Sequence, residues 1–285
     1  MLDGKLLYRD IHTGIFPGIY LLTSGLFSIF GRDLLVTRWA AVAMNVTIAV
    51  CLWRIAARAL RPHWALLAPA LYLLLLAVAF PVLCMFNYST LAVAFGLLAL
   101  LCLLRHFENG ARLDGVLLGL FVAAATLTKQ NFGALCFLAL LAMLLWGRKR
   151  SALAQQPLFG VLWPIAAAGL TATAAVLAFF VANGTLFDLV DSTVLSLGGS
   201  QLRDFDNPIP PLLGAHPEGD GRFLFLYMPP ILFNYLIQGE TFFGVSLTPV
   251  LRSLAIRASY GIALASLVIA PLSLWCGERC GERCG

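Results

Sequence analysis

Charge is the scarcest commodity in this sequence: 19 Lys and Arg and 14 Asp and Glu are spread over 285 residues, so only 12% of the chain is charged. An ordinary soluble domain carries about 25%. The charges present are bunched between long apolar runs rather than distributed along helix faces, so no polar shell can be drawn around a core of this size. A soluble fold is excluded. Alternation is missing as well, since uninterrupted runs such as Leu66 to Ala79 lack the in–out period of a transmembrane barrel. There is no Walker loop, no GxGxxG after a strand, no HExxH and no paired CxxC, which leaves nucleotide-driven, zinc-dependent and redox chemistry without support. No apolar stretch follows Met1 closely enough to read as a cleavable signal peptide.

What the chain has in abundance is hydrophobicity, at 60% of residues and a mean hydropathy of +0.89. With lipid as the solvent every backbone amide needs an internal partner, and helices supply one. The fold expected is therefore all-α, a polytopic transmembrane helical bundle. Spans are placed at Leu34 to Trp53, Trp64 to Leu83, Ser89 to Leu104, Gly115 to Thr128, Ala134 to Trp146, Leu158 to Ala182, Phe223 to Gln238 and Ala258 to Trp275. The stretch Ile15 to Phe30, with Gly14, Pro17, Gly18 and Gly25, is short for a span and reads as an interfacial or re-entrant helix pair. The two segments flanking Lys129 are also short. They read either as tilted spans joined by a tight turn at Gln130, Asn131 and Gly133, or as a re-entrant hairpin.

The net charge of +5 comes from basic residues at the ends of apolar segments, which signals topology and not nucleic-acid binding. Arg54, Arg58 and Arg61, then Arg105 and Arg112, then Arg148, Lys149 and Arg150, then Arg252 and Arg257, mark the cytoplasmic loops. The intervening loops face outward, among them an acidic one over 183–222 with Asp188, Asp191, Asp204, Asp206, Glu218 and Asp220 against Arg203 and Arg222. The same alternation puts residues 1–33 outside, an arrangement that calls for an upstream span. The expectation is a chain clipped at its N-terminus, and also at its C-terminus. Residues 1–276 form one transmembrane domain, followed at 277–285 by a low-complexity Cys-rich tail. Cys51, Cys84, Cys102 and Cys136 read as small residues facing lipid or core. Asn45-Val-Thr and Asn183-Gly-Thr fit the glycosylation pattern, but the first lies inside a span.

Two segments carry a recognisable cadence: Gly4, Tyr8, Arg9, Asp10, His12, Pro17 and Tyr20, continuing through Leu26, Phe27, Phe30, Gly31 and Arg38; and Gly119 through Leu127, Thr128 and Lys129 to Gly133. The first resembles the first external loop of the GT-C glycosyltransferases, in the group of the protein O-mannosyltransferases, the lipid A aminoarabinose transferase and the rhizobial lipopolysaccharide galacturonosyltransferases. The second is similar to that group's Gly-rich helix ending in Leu-Thr-Lys. The resemblance implies transfer of a sugar from a polyprenyl-phosphate carrier to a glycan, lipid or protein acceptor on the external face, with membrane lipids as surroundings and no nucleic-acid partner. It further implies a bacterial inner-membrane location with a periplasmic site, and it leaves room for a divalent cation. Family members carry an additional N-terminal helix followed by the main catalytic carboxylate, a position upstream of this sequence, while their second external acidic position falls near Asn87, which cannot act as a base.

Within that frame Asp10 is assigned an auxiliary catalytic carboxylate, against the alternative that it pairs with Arg9 or caps a helix at Ile11. Arg9, His12, Lys129 and Asn87 are assigned to substrate. Lys129 is the expected ligand of the carrier phosphate, against the alternative of snorkelling to the interface. Arg38 beside Trp39 reads as an interfacial anchor, Arg203 and Arg222 as weaker phosphate candidates, His216 as a loop residue, and His63 and His106 as cytoplasmic and without chemistry. A transporter or flippase, or an inactive transferase remnant, stands as the rival function. Pro81, Pro164, Pro229, Pro230 and Pro271 favour the transporter, and the lack of an internal repeat opposes it.

Overall fold

The computed structural model describes residues 6–11, 13–78 and 85–195, all within the compact unit Met1–Gln201. Residue 12 and the spans placed at Phe223 to Gln238 and Ala258 to Trp275 lie outside the described residues, as do Cys84, Arg203, His216, Arg222 and the Cys-rich tail.

The helices are α1 (Gly18–Phe30), α2 (Leu34–Ala59), α3 (Pro62–Ala65), α4 (Leu67–Val78), α5 (Tyr88–Asn109), α6 (Arg112–Thr128), α7 (Gln130–Gly147), α8 (Leu158–Ala182) and α9 (Leu186–Val190). Among the described residues there is no strand, only an isolated bridge between Leu7 and Ile11. The fold is all-α. Among the described residues, four helices are long and apolar enough to cross a membrane: α2, α5, α7 and α8. Many of their large apolar side chains point outward, Trp39, Leu135, Phe159 and Leu170 among them, as a lipid-facing surface requires.

Local chemistry sets the helix ends. Asp33 caps α2 by accepting the Leu35 N–H at 2.8 Å, and Asn87 caps α5 by accepting the Thr90 N–H at 2.9 Å. Gly110, at φ 64°, ends α5 in the left-handed conformation that glycine adopts without strain. The span expected from Trp64 is broken at Leu66 into α3 and α4. Pro62 opens α3 and Pro69 falls in the first turn of α4, where its missing N–H has no helical partner to lose.

The hairpin at Lys129 differs from the expected one. The turn is Lys129 alone, extended at φ −148° and ψ 101°, and Gln130, Asn131 and Gly133 already belong to the first turn of α7. Gly133 makes so tight a corner possible, because a Cβ there would run into the Cα of Thr126. The stretch 15–30 likewise holds one helix, α1, from Gly18 onward, rather than a pair.

Helix α6 is the centre of the bundle, packed between α5 and α8. The α6–α8 crossing is closest at Gly119, where any side chain would meet the backbone of Ile165. One core cluster gathers Ala99, Leu103, Leu118, Leu140, Leu144 and Val161 from α5, α6, α7 and α8. A second joins α2 to α5 through Met44, Ile48, Leu91 and Ala94. Asn45 is used inside the bundle, where it accepts a hydrogen bond from Tyr72 of α4 at 2.5 Å. Cys51 and Cys102 are buried and Cys136 is half-buried.

Contacts between chain-distant groups define two ends. At one, Arg58 of α2 grips Glu108 of α5 at 2.6 Å, Arg105 pairs with Asp114 of α6 at 3.2 Å, and the Ala152 N–H donates to Phe107 O at 2.9 Å. At the other, Gly18 lies against Leu127 and Thr128, and Lys129 reaches Ser89. Helices α2, α5 and α7 therefore run toward the first end, and α6 and α8 run away from it. Arg54, Arg58, Arg61, Arg105, Arg112, Arg148 and Lys149 all belong to the first end. Of the acidic loop, residues 186–195 are helical, as α9 and a following π-helical turn Asp191–Leu195.

Candidate functional site

The end of the bundle opposite the basic cluster collects four of the five residues singled out from the sequence, in two groups. His12 lies outside the described residues.

The first group is built on the loop before α1. Tyr8 anchors it: the ring is 1% exposed, packs on Phe180 of α8 at a centroid distance of 5.6 Å, and stands in a left-handed backbone conformation at φ 72°. Its hydroxyl donates to Ile15 O at 2.8 Å. Burial, and to a lesser degree the neighbouring Tyr20, pushes the Tyr8 phenol well up from its ordinary value, so it stays a neutral hydrogen-bond donor. With Tyr8 fixed, Arg9 and Asp10 are presented to solvent. Arg9 does not pair with Asp10. Its Nε meets the Asp188 carboxylate of α9 at 3.2 Å and its Nη2 donates to Gly184 O at 2.6 Å. Asp10 instead accepts the Leu6 N–H at 2.6 Å, closing the loop on itself, and no helix starts at Ile11.

The second group sits where α5 begins and the α6–α7 corner turns. Asn87 is the α5 cap, and its Oδ1 also meets Thr90 Oγ1 at 3.2 Å. The half-buried Lys129 extends to this turn: Nζ donates to Ser89 Oγ at 3.0 Å and lies 5.3 Å from the centre of the Tyr88 ring. Burial lowers the Lys129 pKa below the ordinary lysine value. No carboxylate pairs with Lys129 among the described residues. A cation beside the first turn of α5 is also near the positive end of that helix's dipole, so the locality carries excess positive potential that an anion would relieve. Tyr88, Ser89 and Asp188 complete these groups and were not assigned a role from sequence. Only the three-dimensional pairing across 40 residues, for Ser89 and Lys129, reveals them.

Below this end an apolar cleft of about 630 Å3 opens between α6, α7 and α8. It is lined by Val122, Phe137, Leu141, Ile165 and Leu170, and its residues Thr126 and Ala134 are about one helical turn from Lys129 along α6 and α7. Both threonines in its wall are turned into their own helices, Thr126 to Val122 O and Thr173 to Gly169 O, which leaves the cleft with an oily lining. At the basic end His106 is 2% exposed and its Nδ1 contacts Ala111 O at 2.9 Å, a helix-joining role. Arg38 and Trp39 are both exposed at the start of α2. No group of three or more His, Cys, Asp or Glu side chains gathers among the described residues.

No curated protein and no solved structure matches this chain. The family model described as dolichyl-phosphate-mannose-protein mannosyltransferase matches residues 13–179, more than half of the chain, from the loop before α1 to the last turn of α8. By that match the chain belongs to the dolichyl-phosphate-mannose-protein mannosyltransferase family of GT-C membrane glycosyltransferases.

Proposed function

We propose that the chain transfers a sugar from a polyprenyl-phosphate carrier to a glycan, lipid or protein acceptor, at the end of the bundle that holds Arg9, Asp10, Asn87 and Lys129. The observation that carries this reading is the half-buried Lys129 ammonium, which has a hydroxyl and an aromatic ring for neighbours and no carboxylate among the described residues. Such a cation binds a phosphate more readily than a neutral group. The oily cleft that starts about one turn away suits a polyprenyl chain, so head group and tail of one carrier are provided for together.

In this reading Lys129 steadies the departing carrier phosphate, offsetting charge as the sugar–phosphate bond breaks. Asp10 serves in an auxiliary way by orienting the acceptor hydroxyl or amine. The end carrying Lys129 faces the periplasm or lumen, and the basic end faces the cytoplasm, as the clustering of Arg54, Arg58, Arg105, Arg112, Arg148 and Lys149 supports. A bacterial inner membrane is the location assigned.

The test is a transfer assay with the full chain in vesicles supplied with radiolabelled polyprenyl-phosphate mannose and membrane acceptors. Label is expected to leave the carrier with the parent chain and to stay on it with Lys129→Ala. Equal turnover by Lys129→Ala would remove the basis of the reading.

A further inference from the structure

The position of the Lys129 ammonium is not set by the corner on which the residue sits. A lysine side chain has four flexible carbons, and at an extended one-residue turn nothing local restrains them. The restraint comes from α5, where Ser89 Oγ accepts from Nζ at 3.0 Å and the Tyr88 ring lies 5.3 Å from it. Both residues belong to the first turn of α5, which Asn87 holds in place by capping. One hydrogen bond uses one of the three ammonium donors, and two remain. Ser89 accepts from Lys129, and its own hydroxyl hydrogen has no other partner among the described residues. It is free to donate.

From this geometry we infer that Tyr88 and Ser89 are positioning residues that hold the Lys129 ammonium at the bundle's end, with the Ser89 hydroxyl donating alongside it to a phosphomonoester or phosphodiester head group. This rests on the reading of Lys129 as a ligand of the carrier phosphate. The chemistry is that of a compact two-donor cradle, a charged N–H and a neutral O–H converging on one oxyanion, with the aromatic face stabilising the cation from behind. Tyr88 contributes through its ring and Ser89 through its hydroxyl, so the conservative replacements differ: Phe serves for the first and Thr for the second.

The experiment measures binding of one probe, farnesyl phosphate, to the full chain in phosphatidylcholine nanodiscs, and in parallel follows acetic anhydride labelling of Lys129 in ligand-free protein. Ser89→Ala and Tyr88→Leu are each expected to weaken the probe about tenfold and to speed labelling of Lys129 at a fixed pH, because each removes a group that favours the ammonium. Ser89→Thr and Tyr88→Phe are expected to stay within about twofold of the parent in both readings. Adding Tyr88→Leu to Lys129→Met should cost no further affinity than Lys129→Met alone, since the ring acts through the lysine, whereas adding Ser89→Ala should still cost the hydroxyl's own hydrogen bond to the phosphate. If Lys129→Met weakens the probe while Ser89→Ala and Tyr88→Leu do not, the positioning role is overturned and the phosphate reading stands. If Lys129→Met leaves affinity unchanged, the phosphate reading falls and the cradle with it. Should Ser89→Ala fail to fold, Ser89→Cys, close in size and a poor acceptor, takes its place under the same expectations.

Discussion

Arg9 and Asp188 are separated by 179 residues of chain and by 3.2 Å in the fold. The pair, with the second bond from Arg9 to Gly184 O, ties the loop before α1 to the segment after α8. The Arg9 side chain is 51% exposed and that of Asp188 32%, so the pair contributes little to global stability, at most about 1 kcal/mol. Its effect is local. Asp188→Asn should leave the melting temperature nearly unchanged and yet raise amide exchange across residues 6–11, as read by hydrogen–deuterium mass spectrometry. Protection equal to the parent's would mean that Tyr8, buried on Phe180, holds the loop without help.

The centre of the bundle makes a sharper demand. At Gly119 a methyl group would meet the backbone of Ile165, which cannot move aside without parting α6 from α8. At Gly25, in the exposed face of α1, a methyl meets nothing within 4 Å. Gly119→Ala is expected to destabilise by about 1–3 kcal/mol, while Gly25→Ala should be neutral or stabilise by up to about 1 kcal/mol through better helix propensity. Thermal unfolding in detergent distinguishes them, and a neutral Gly119→Ala would contradict the tight crossing.

How much of this was legible in the sequence follows from the kind of signal involved. Length and hydropathy place α2, α5, α7 and α8 well, because lipid imposes a minimum run of apolar residues that few other constraints imitate. The corner at Lys129 was misjudged by a few residues, because Gln130, Asn131 and Gly133 look like turn formers and nothing local says that Gly133 is needed for the approach of Thr126. Lys129 itself stands out as a cation beside apolar helices. Its companions Tyr88 and Ser89 do not, since a serine and a tyrosine at a span's edge are ordinary there. Pairing of Asp10 with Arg9 stands in the sequence only as the alternative to a catalytic Asp10, and the fold instead gives Arg9 to Asp188, a choice that no local pattern encodes.

Asn87 has a structural duty that can be separated from a substrate role. As the α5 cap it satisfies the Thr90 N–H, and its loss in Asn87→Ala should cost about 1 kcal/mol. Asn87→Asp keeps the cap, since Asp is as good there, but brings a negative charge to the turn that carries Tyr88 and Ser89. Melting temperatures should therefore rank parent and Asn87→Asp together above Asn87→Ala. Farnesyl phosphate affinity should instead fall most for Asn87→Asp, whose carboxylate repels the phosphate and competes for Lys129. If affinity followed the melting temperatures, Asn87 would matter to the site only through the helix it caps.

The proton on Lys129 gives the last prediction, and it has two signs. Burial lowers its pKa below the ordinary value of 10.5, so in the pH window between the lowered value and 10.5 the unfolded chain holds a proton that the folded chain has released. Stability from this group then increases with pH across that window. Phosphate binding needs the ammonium and runs the other way, weakening as pH climbs through the lowered value. Lys129→Arg, charged throughout the range, should keep its affinity where the parent loses it, while Lys129→Met should remove both dependences. Binding of farnesyl phosphate and thermal unfolding, each followed from pH 7 upward, test the pair of signs. An affinity in the parent that held level up to the ordinary lysine range would show that the ammonium is not buried enough to be shifted, or that another group holds the phosphate, and the Lys129→Met curve tells these two apart.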